Sequence, residues 1–366
     1  MKIAIYAISK NEGKLIERML KSCKDADNIF ICDTGSNDQT VKIAQDYGAK
    51  IHNIVISPWR FDDARNASLA LIDNNIDICV SIDCDEYLTD GWRDKLENAW
   101  KNGTNRIRYK YQWDPDTNFI LDKIHARKGF RWKYPCHEAL YADKRIQESV
   151  SYIDSTLVIH EPDHNKNRSE YLQLLKIGIE EEPFDTRASF YYGRELFFNA
   201  KFSEAVNEFQ RYIDLPGDKV PAENSYVARL IAKCLMNEDK NMEALTWCEK
   251  AIKICPDRRE SWVYLAQAYY NLDLWMECYS SALKAISIEN HRHEYPIETH
   301  AWGYLPFDLA AVSAFKLGRM DEAVKYGEIA LQFNPNDTRL KINMLWYLSE
   351  QQQTDTNEQI SYEGEF

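Results

Sequence analysis

Short apolar runs alternate with amphipathic periods through the first 90 residues. Residues 3–8 read as a strand, and Leu15, Ile16, Met19 and Leu20 place one helical face within 13–23. A second apolar run, 29–32, ends in Asp33-Thr34-Gly35-Ser36-Asn37-Asp38, after which Val41, Ile43 and Ala44 resume a helical period. Residues 50–56 predict a third strand, 63–71 a helix, and 76–82 a fourth strand running into Asp83-Cys84-Asp85-Glu86. Strands separated by helices of this length predict an α/β domain with a mostly parallel, Rossmann-like sheet and right-handed crossovers. Ligands gather at the carboxyl ends of such strands. The polar clusters at 11–12, 33–38 and 83–86 all fall there, so one crevice can hold all three.

From about residue 186 the pattern is helical throughout. Ala205, Ala244, Cys278 and Ala323 align at separations of 39, 34 and 45 residues, and 34 is the tetratricopeptide period. Trp262, Leu265, Ala266 and Tyr269, and the pairs Ala251/Pro256 and Ala330/Pro335, fall into register with it. An all-α domain of four tetratricopeptide-like helical pairs is predicted over 186–348, with Tyr191, Tyr192, Phe197 and Phe198 in its core. An insertion at about 290–306 carries His291, His293 and His300, whose spacing fits no helical ligand pair and reads as loop packing. Before the repeats, Tyr171, Leu172, Leu174, Leu175, Ile177 and Ile179 predict a packed linker helix within 166–185. After them, 349–366 is polar and aperiodic and reads as a flexible tail. The first domain is expected to span 1–165.

Composition sharpens this division. Across 366 residues, 45% are apolar and 28% charged, which excludes a disordered or coiled-coil chain. No run approaches the ~20 apolar residues of a membrane span. The N-terminal segment turns polar too early for a signal peptide. Nine cysteines without a CxxC pair read as buried thiols, so a cytoplasmic protein is expected. The net charge of -13 is concentrated after residue 165, where 22 basic face 32 acidic residues. That acidity disfavours nucleic acid without excluding a local basic pocket. One candidate is 106–133, with eight basic and three acidic residues, which also reads as a solvated hairpin face.

The clearest chemistry is Asp83-Cys84-Asp85. Two carboxylates two apart on an extended segment point the same way, and at a strand end they can offer oxygens to Mn2+ or Mg2+. KNEG at 10–13, DTGSNDQT at 33–40, FDDARNASL at 61–69 and SIDCDEYL at 81–88, in that order, resemble the family 2 glycosyltransferases of GT-A fold. WKYPCHEAL at 132–140 and LVIHEPDH at 157–164 resemble later elements of the subgroup fused to helical repeats. NNIDIC before the acidic motif departs from the usual Gly-Asp-Trp.

The resemblance implies a UDP-sugar donor. Asp33 would meet its uridine, Asp83 the ribose or metal, Asp85 the metal, and Arg65 the nucleotide or its phosphates, with Asn11 and Glu12 in the same crevice and Asn66 fixing a turn. Arg65 also reads as a helix-surface ion-pair partner, and Asp38 as a helix N-terminal residue. An inverting transfer needs a base at the acceptor. Glu138 is the first candidate and Asp163 the second, with Asp114 and Asp116 behind them; Glu138 equally reads as a residue that orders its loop. His160 reads as a metal or diphosphate ligand or as a structural residue. The expected acceptor is a peptide, protein or glycan. Alternatives are an inactive nucleotide-sugar and peptide-binding module, and a transferase acting on a phosphorylated or nucleic-acid acceptor. The repeats could also pair two copies.

Overall fold

The computed structural model describes residues 1–363 apart from 116, 164–168, 218 and 291–297, with the helix backbone alone beyond 352. The chain forms two compact units, Met1–Pro183 and Phe184–Phe366. Asp116, His291 and His293 lie outside the described residues.

In the first unit the elements run β1 (Ile3–Ser9), α1 (Ile16–Ser22), β2 (Asn28–Asp33), α2 (Thr40–Asp46), β3 (Lys50–Asn53), α3 (Phe61–Leu71), β4 (Ile78–Ser81), β5 (Glu86–Leu88) and α4 (Trp92–Ala99). They continue with β6 (Arg106–Asp114), β7 (Thr117–Ala126), β8 (Phe130–Lys133), β9 (Ala139–Ala142), β10 (Val150–His160) and α5 (Tyr171–Glu181). Eight strands make one sheet in the order β3-β2-β1-β4-β7-β6-β10-β5, and β8-β9 form a small antiparallel pair. The four strands expected from apolar runs are its parallel half. Because β7 is antiparallel to both β4 and β6, and β10 runs parallel to β6, the carboxyl ends of β1, β2, β4, β6 and β10 share one edge.

Strand β1 is buried on both faces, which its unbroken apolar run requires. Ile3, Ile5, Val80 and Ile124 pack against Ile16, Met19 and Leu20 on one side. Tyr6, Phe30 and Trp132 fill the other. Helix α5 also belongs to this unit, so the boundary lies at Pro183 rather than 165. Tyr171 meets the rings of Phe61 and His137 edge-on, Leu174 and Leu175 are buried, and Arg60 pairs with Glu181.

The second unit contains α6 (Thr186–Phe198), α7 (Phe202–Asp214), α8 (Pro221–Asn237), α9 (Asn241–Ile254), α10 (Arg259–Asn271), α11 (Trp275–Ile286), α12 (Leu305–Lys316), α13 (Met320–Phe333) and α14 (Thr338–Glu363). Ala205, Ala244, Cys278 and Ala323 are fully buried on α7, α9, α11 and α13, the second helix of each pair. Small side chains there let the helices approach: a Cβ on Gly193 would lie 2.7 Å from the Phe209 ring.

Two expectations fail in this unit. Phe198 is 63% exposed and Tyr191, Tyr192 and Phe197 only half-buried, because Phe190, Gly193 and Leu196 face the neighbouring helices instead. Beyond residue 349 the backbone continues helical to Glu363, with neither Pro nor Gly in 349–363 to stop it. His300 packs edge-on against Tyr264, in keeping with loop packing. Glu298 is buried, accepting from Arg229 Nε at 2.7 Å and Tyr264 Oη at 2.6 Å.

Candidate functional site

The shared carboxyl edge begins at Asp33, the last residue of β2. Its carboxylate accepts from Ser9 Oγ at 3.1 Å, from the Gly35 and Ser36 amides at 3.0 and 2.8 Å, and from Ser36 Oγ at 2.5 Å. Burial alone would raise its pKa; these donors hold it below the ordinary carboxylate value. Asn11, at φ 56°, receives Asn37 N on its Oδ1 and gives its own amide to Ser36 Oγ. Glu12 N donates to Thr40 Oγ1, and Asp38 accepts from Gly13 N and Thr40 N. Asn11, Glu12 and Asp38 therefore tie the loop after β1 to the start of α2. Asp38 takes the N-terminal role expected of it.

Arg65 is the centre of the site. Alternation along α3 turns it inward, and its side chain is 5% exposed. Nε donates to Glu138 Oε1 at 2.5 Å, Nη2 to Asp83 Oδ1 at 2.6 Å and Nη1 to Ser81 Oγ at 3.2 Å, while the guanidinium lies 5.0 Å from the centre of the Trp132 ring. The surface ion-pair reading is thereby replaced by a buried fork joining two carboxylates. Asn66 does not fix a turn: it grips the Trp132 backbone through two hydrogen bonds, 2.9 and 2.8 Å, and so clamps α3 to β8.

The acidic motif departs from expectation. Residues 83–86 form a turn closed by Glu86 N donating to Asp83 O at 3.0 Å, so the alternation of an extended segment does not hold there. Asp83 Oδ1 goes to Arg65, and Oδ2 accepts from Lys123 Nζ at 2.9 Å, which also reaches Glu86 Oε1 at 3.2 Å. Burial would push the Asp83 carboxyl up, but the two cations hold it well below the usual range. Burial keeps Glu86 raised.

Asp85 lies beside His160. Its Oδ2 lies 3.9 Å from His160 Nε2, and its carbonyl accepts from the Glu161 amide at 2.9 Å. His160, lowered by burial against the pull of Asp85, stacks on Trp113 at 4.2 Å. Arg18 bridges to Glu161 at 2.5 Å.

The set Asp83, Asp85 and His160 is thus not gathered as one metal cage. Among the described residues no group of three or more His, Cys, Asp or Glu is arranged to hold a metal. Asp85 and His160 fit a divalent cation as a pair, in the manner of ions that take few protein ligands and complete their shell with phosphate oxygens and water.

Glu138 sits on a loop with His137 at φ 54°, braced by α5 through the His137–Tyr171 contact. Its side chain is 12% exposed. Asp163 lies three residues beyond β10 and is half-buried.

Sequence reading missed Lys123, Ser81 and Trp132. The signal for Lys123 was the basic stretch at 106–133, in which Arg106 is buried, Lys123, Arg127 and Lys133 are half-buried and Arg108, Lys128 and Arg131 are exposed. Arg106 pairs with Asp122 and Glu148, Lys110 with Asp154, and Arg127 donates to the carbonyls of Ala70 and Ile72.

Residues 5–156 match the family described as Glycosyl transferase family 2. An uncharacterized glycosyltransferase of Rickettsia bellii is 36% identical over 109 residues, covering 30% of this chain and 35% of that protein. A TPR repeat-containing protein of Synechococcus elongatus is 30% identical over 143 residues, covering 37% of this chain and 34% of that protein. The crystal structure of MamA superposes with a TM-score of 0.38 at 15% identity, covering 45% of this chain and 86% of that one. The chain spans about a third of the length of the curated relatives it matches.

Proposed function

From the premise that the first unit carries a family 2 glycosyltransferase domain, we propose that this protein moves a sugar from a UDP-sugar to an acceptor hydroxyl with inversion. The observation that carries the reading is the convergence of Asp33, Arg65, Asp83, Asp85 and Glu138 on one edge of the sheet, four of them held by named hydrogen bonds.

Asp33, its carboxylate filled by four donors, fixes the loop after β2 against which the uracil would lie. Arg65, buried and engaged by Glu138, Ser81 and Asp83, holds those two carboxylates in place for the nucleotide and the acceptor. Asp83 has both oxygens engaged by cations, which favours the ribose role over the metal role. Mn2+ or Mg2+ held by Asp85 and His160 would neutralise the diphosphate as it leaves. Glu138 has one oxygen on Arg65; the other takes the acceptor proton as the acceptor oxygen bonds to the anomeric carbon and the bond from that carbon to the UDP oxygen breaks. The repeats are proposed to hold an acceptor-bearing protein or a second copy of the chain.

The test is hydrolysis of a panel of UDP-sugars by the full chain with Mn2+, then with EDTA, then with Mn2+ restored. Turnover that follows the metal supports the reading. Complete inertness with tight peptide binding by the repeats would overturn it in favour of a binding module.

A further inference from the structure

The cation pair of the proposed transfer comes from two elements that are separate in sequence. Asp85 lies in the turn between β4 and β5, whereas His160 is the last residue of β10 and pairs with Glu86 across the antiparallel β5–β10 ladder. Their side chains stand 3.9 Å apart. Behind them the two backbones meet, the Asp85 carbonyl accepting from the Glu161 amide at 2.9 Å.

Arg18 closes this junction from α1. Its Nη2 donates to the Glu161 carbonyl at 3.0 Å and to the Asp85 carbonyl at 3.5 Å, so one guanidinium nitrogen spans the two backbones that carry the pair. Nη1 pairs with the Glu161 carboxylate at 2.5 Å, and the guanidinium lies 5.0 Å from the centre of the Tyr87 ring on β5. The base of this staple is well anchored. Ile16, Met19 and Leu20 of α1 are buried in the core, and at the helix end Ser22 receives Leu88 N on its hydroxyl and Trp92 Nε1 on its carbonyl, each at 3.0 Å.

An ordinary surface ion pair accounts for the contact with the Glu161 carboxylate, which is 63% exposed and carries little energy. It does not account for Nη2, which is directed to two carbonyls. Nor does it account for Nε, which is buried without a hydrogen-bond partner among the described residues. Leaving that donor buried is costly, so the guanidinium is not placed by saturation of its own donors.

Charge supplies the discriminating sign. A guanidinium beside a divalent cation repels it, so on charge alone its removal would tighten metal binding. A guanidinium that holds the Asp85 turn against the end of β10 has the opposite effect, because its removal loosens the pair. Groups that orient a metal's ligands carry effects of roughly 10- to 100-fold in affinity.

Resting on the transfer reading above, we infer that Arg18 is a positioning residue: by bridging the Asp85 and Glu161 carbonyls it sets the spacing of Asp85 and His160 that receives the divalent cation.

The experiment uses the full-length protein with Mn2+ alone and with Mn2+ and UDP. Bound Mn2+ is read from the electron paramagnetic resonance signal of the free ion, and uridine affinity by calorimetry. Arg18→Met keeps an apolar stem over Tyr87 and removes the bridge, whereas Arg18→Lys keeps a cation and part of the bridge. Glu161→Gln removes the carboxylate but leaves the carbonyl to Arg18. With UDP present, the Mn2+ Kd should rise on the order of tenfold in Arg18→Met and by less in Arg18→Lys. In Glu161→Gln it should stay within about threefold, the scale of an exposed ion pair. Uridine, which has no phosphate, should bind all four proteins alike, because the loops around Asp33 are held by Asn11, Glu12 and Ser36. Mn2+ binding unchanged or tighter in Arg18→Met would overturn the proposal. So would a parallel loss of Mn2+ and uridine affinity, which marks a general loss of structure. If Arg18→Met does not fold, the other two variants decide: a loss in Glu161→Gln equal to that in Arg18→Lys assigns the effect to the ion pair and overturns the bridge. Failure of wild type to bind Mn2+ even with UDP overturns the cation reading itself, whereas tight binding shared by wild type and Arg18→Met overturns the role of Arg18 alone.

Discussion

At the scale of single residues, the two carboxylates of the acidic motif do different work, and substitution separates them. Asp83→Asn leaves Arg65 and Lys123 facing a neutral amide. Because the Asp83 side chain is 30% exposed, the loss should fall below the range for fully buried pairs, at about 2 kcal/mol of first-unit stability, read as a lower urea midpoint. Asp85→Asn should cut transfer by on the order of 10³-fold; near-normal turnover would remove the cation from the mechanism. A second residue-scale prediction concerns pH. His125 is fully buried, bonded to Tyr6 Oη through Nε2 at 2.8 Å, with Nδ1 2.8 Å from the Ala126 carbonyl, and burial lowers its pKa to about 4. The unfolded chain binds this proton near pH 6.5 and the folded chain only near 4, so the stabilisation is complete above 6.5 and lost as pH falls from 6.5 to 4. It amounts to on the order of 3 kcal/mol. His125→Gln should flatten that part of the stability profile in urea titrations; an unchanged slope would assign it to carboxylates.

Secondary elements were legible where burial imposes a period. The runs at 3–8, 29–32 and 76–82 became central strands because parallel strands are covered on both faces and cannot hide their composition. The strand-end place of Asp33 followed from them as a local property, whereas the inward position of Arg65 did not, since on its own it reads as a helix-surface ion-pair partner. The pairing of the acidic turn was illegible because Asp83 and Glu86 take their cation from Lys123 on β7, 40 residues from Asp83. The packing of α5 was legible from its apolar period but its partner was not: its apolar face meets the loop that carries Glu138, through His137–Tyr171 and Pro135–Gly178, within the unit that ends at Pro183. A fragment ending at residue 183 should therefore unfold cooperatively, whereas one ending at 165 should lose several kcal/mol or fail to fold, as read by near-ultraviolet circular dichroism and urea titration. Equal stability of the two fragments would make α5 dispensable. In the repeats, Gly193→Ala forces a methyl group into the Phe209 ring and should cost about 1–3 kcal/mol of second-unit stability with no change in UDP binding.

On the scale of the whole molecule, each unit buries its own core, from Ile5 and Trp92 in the first to Ala266 and Ala310 in the second. Charge is divided too, with most of the net -13 carried after residue 165. A nucleotide that binds at Asp33 and Arg65 acts on the first unit alone. At a UDP concentration a hundredfold above its Kd, linkage adds about 2.7 kcal/mol to whatever state holds the ligand. For a unit of this size that corresponds to roughly 5 to 10 °C in Tm. Calorimetry of the full chain should then resolve two transitions. UDP with Mn2+ should move only the one that also shifts in Asp83→Asn protein, while the transition lowered by Gly193→Ala stays fixed. If UDP moved both together, the units would unfold as one cooperative body and acceptor binding by the repeats could be coupled to donor binding. If it moved neither at saturating concentration, the nucleotide would have no site at the carboxyl edge, and the ion-pair network around Arg65 would be a scaffold only.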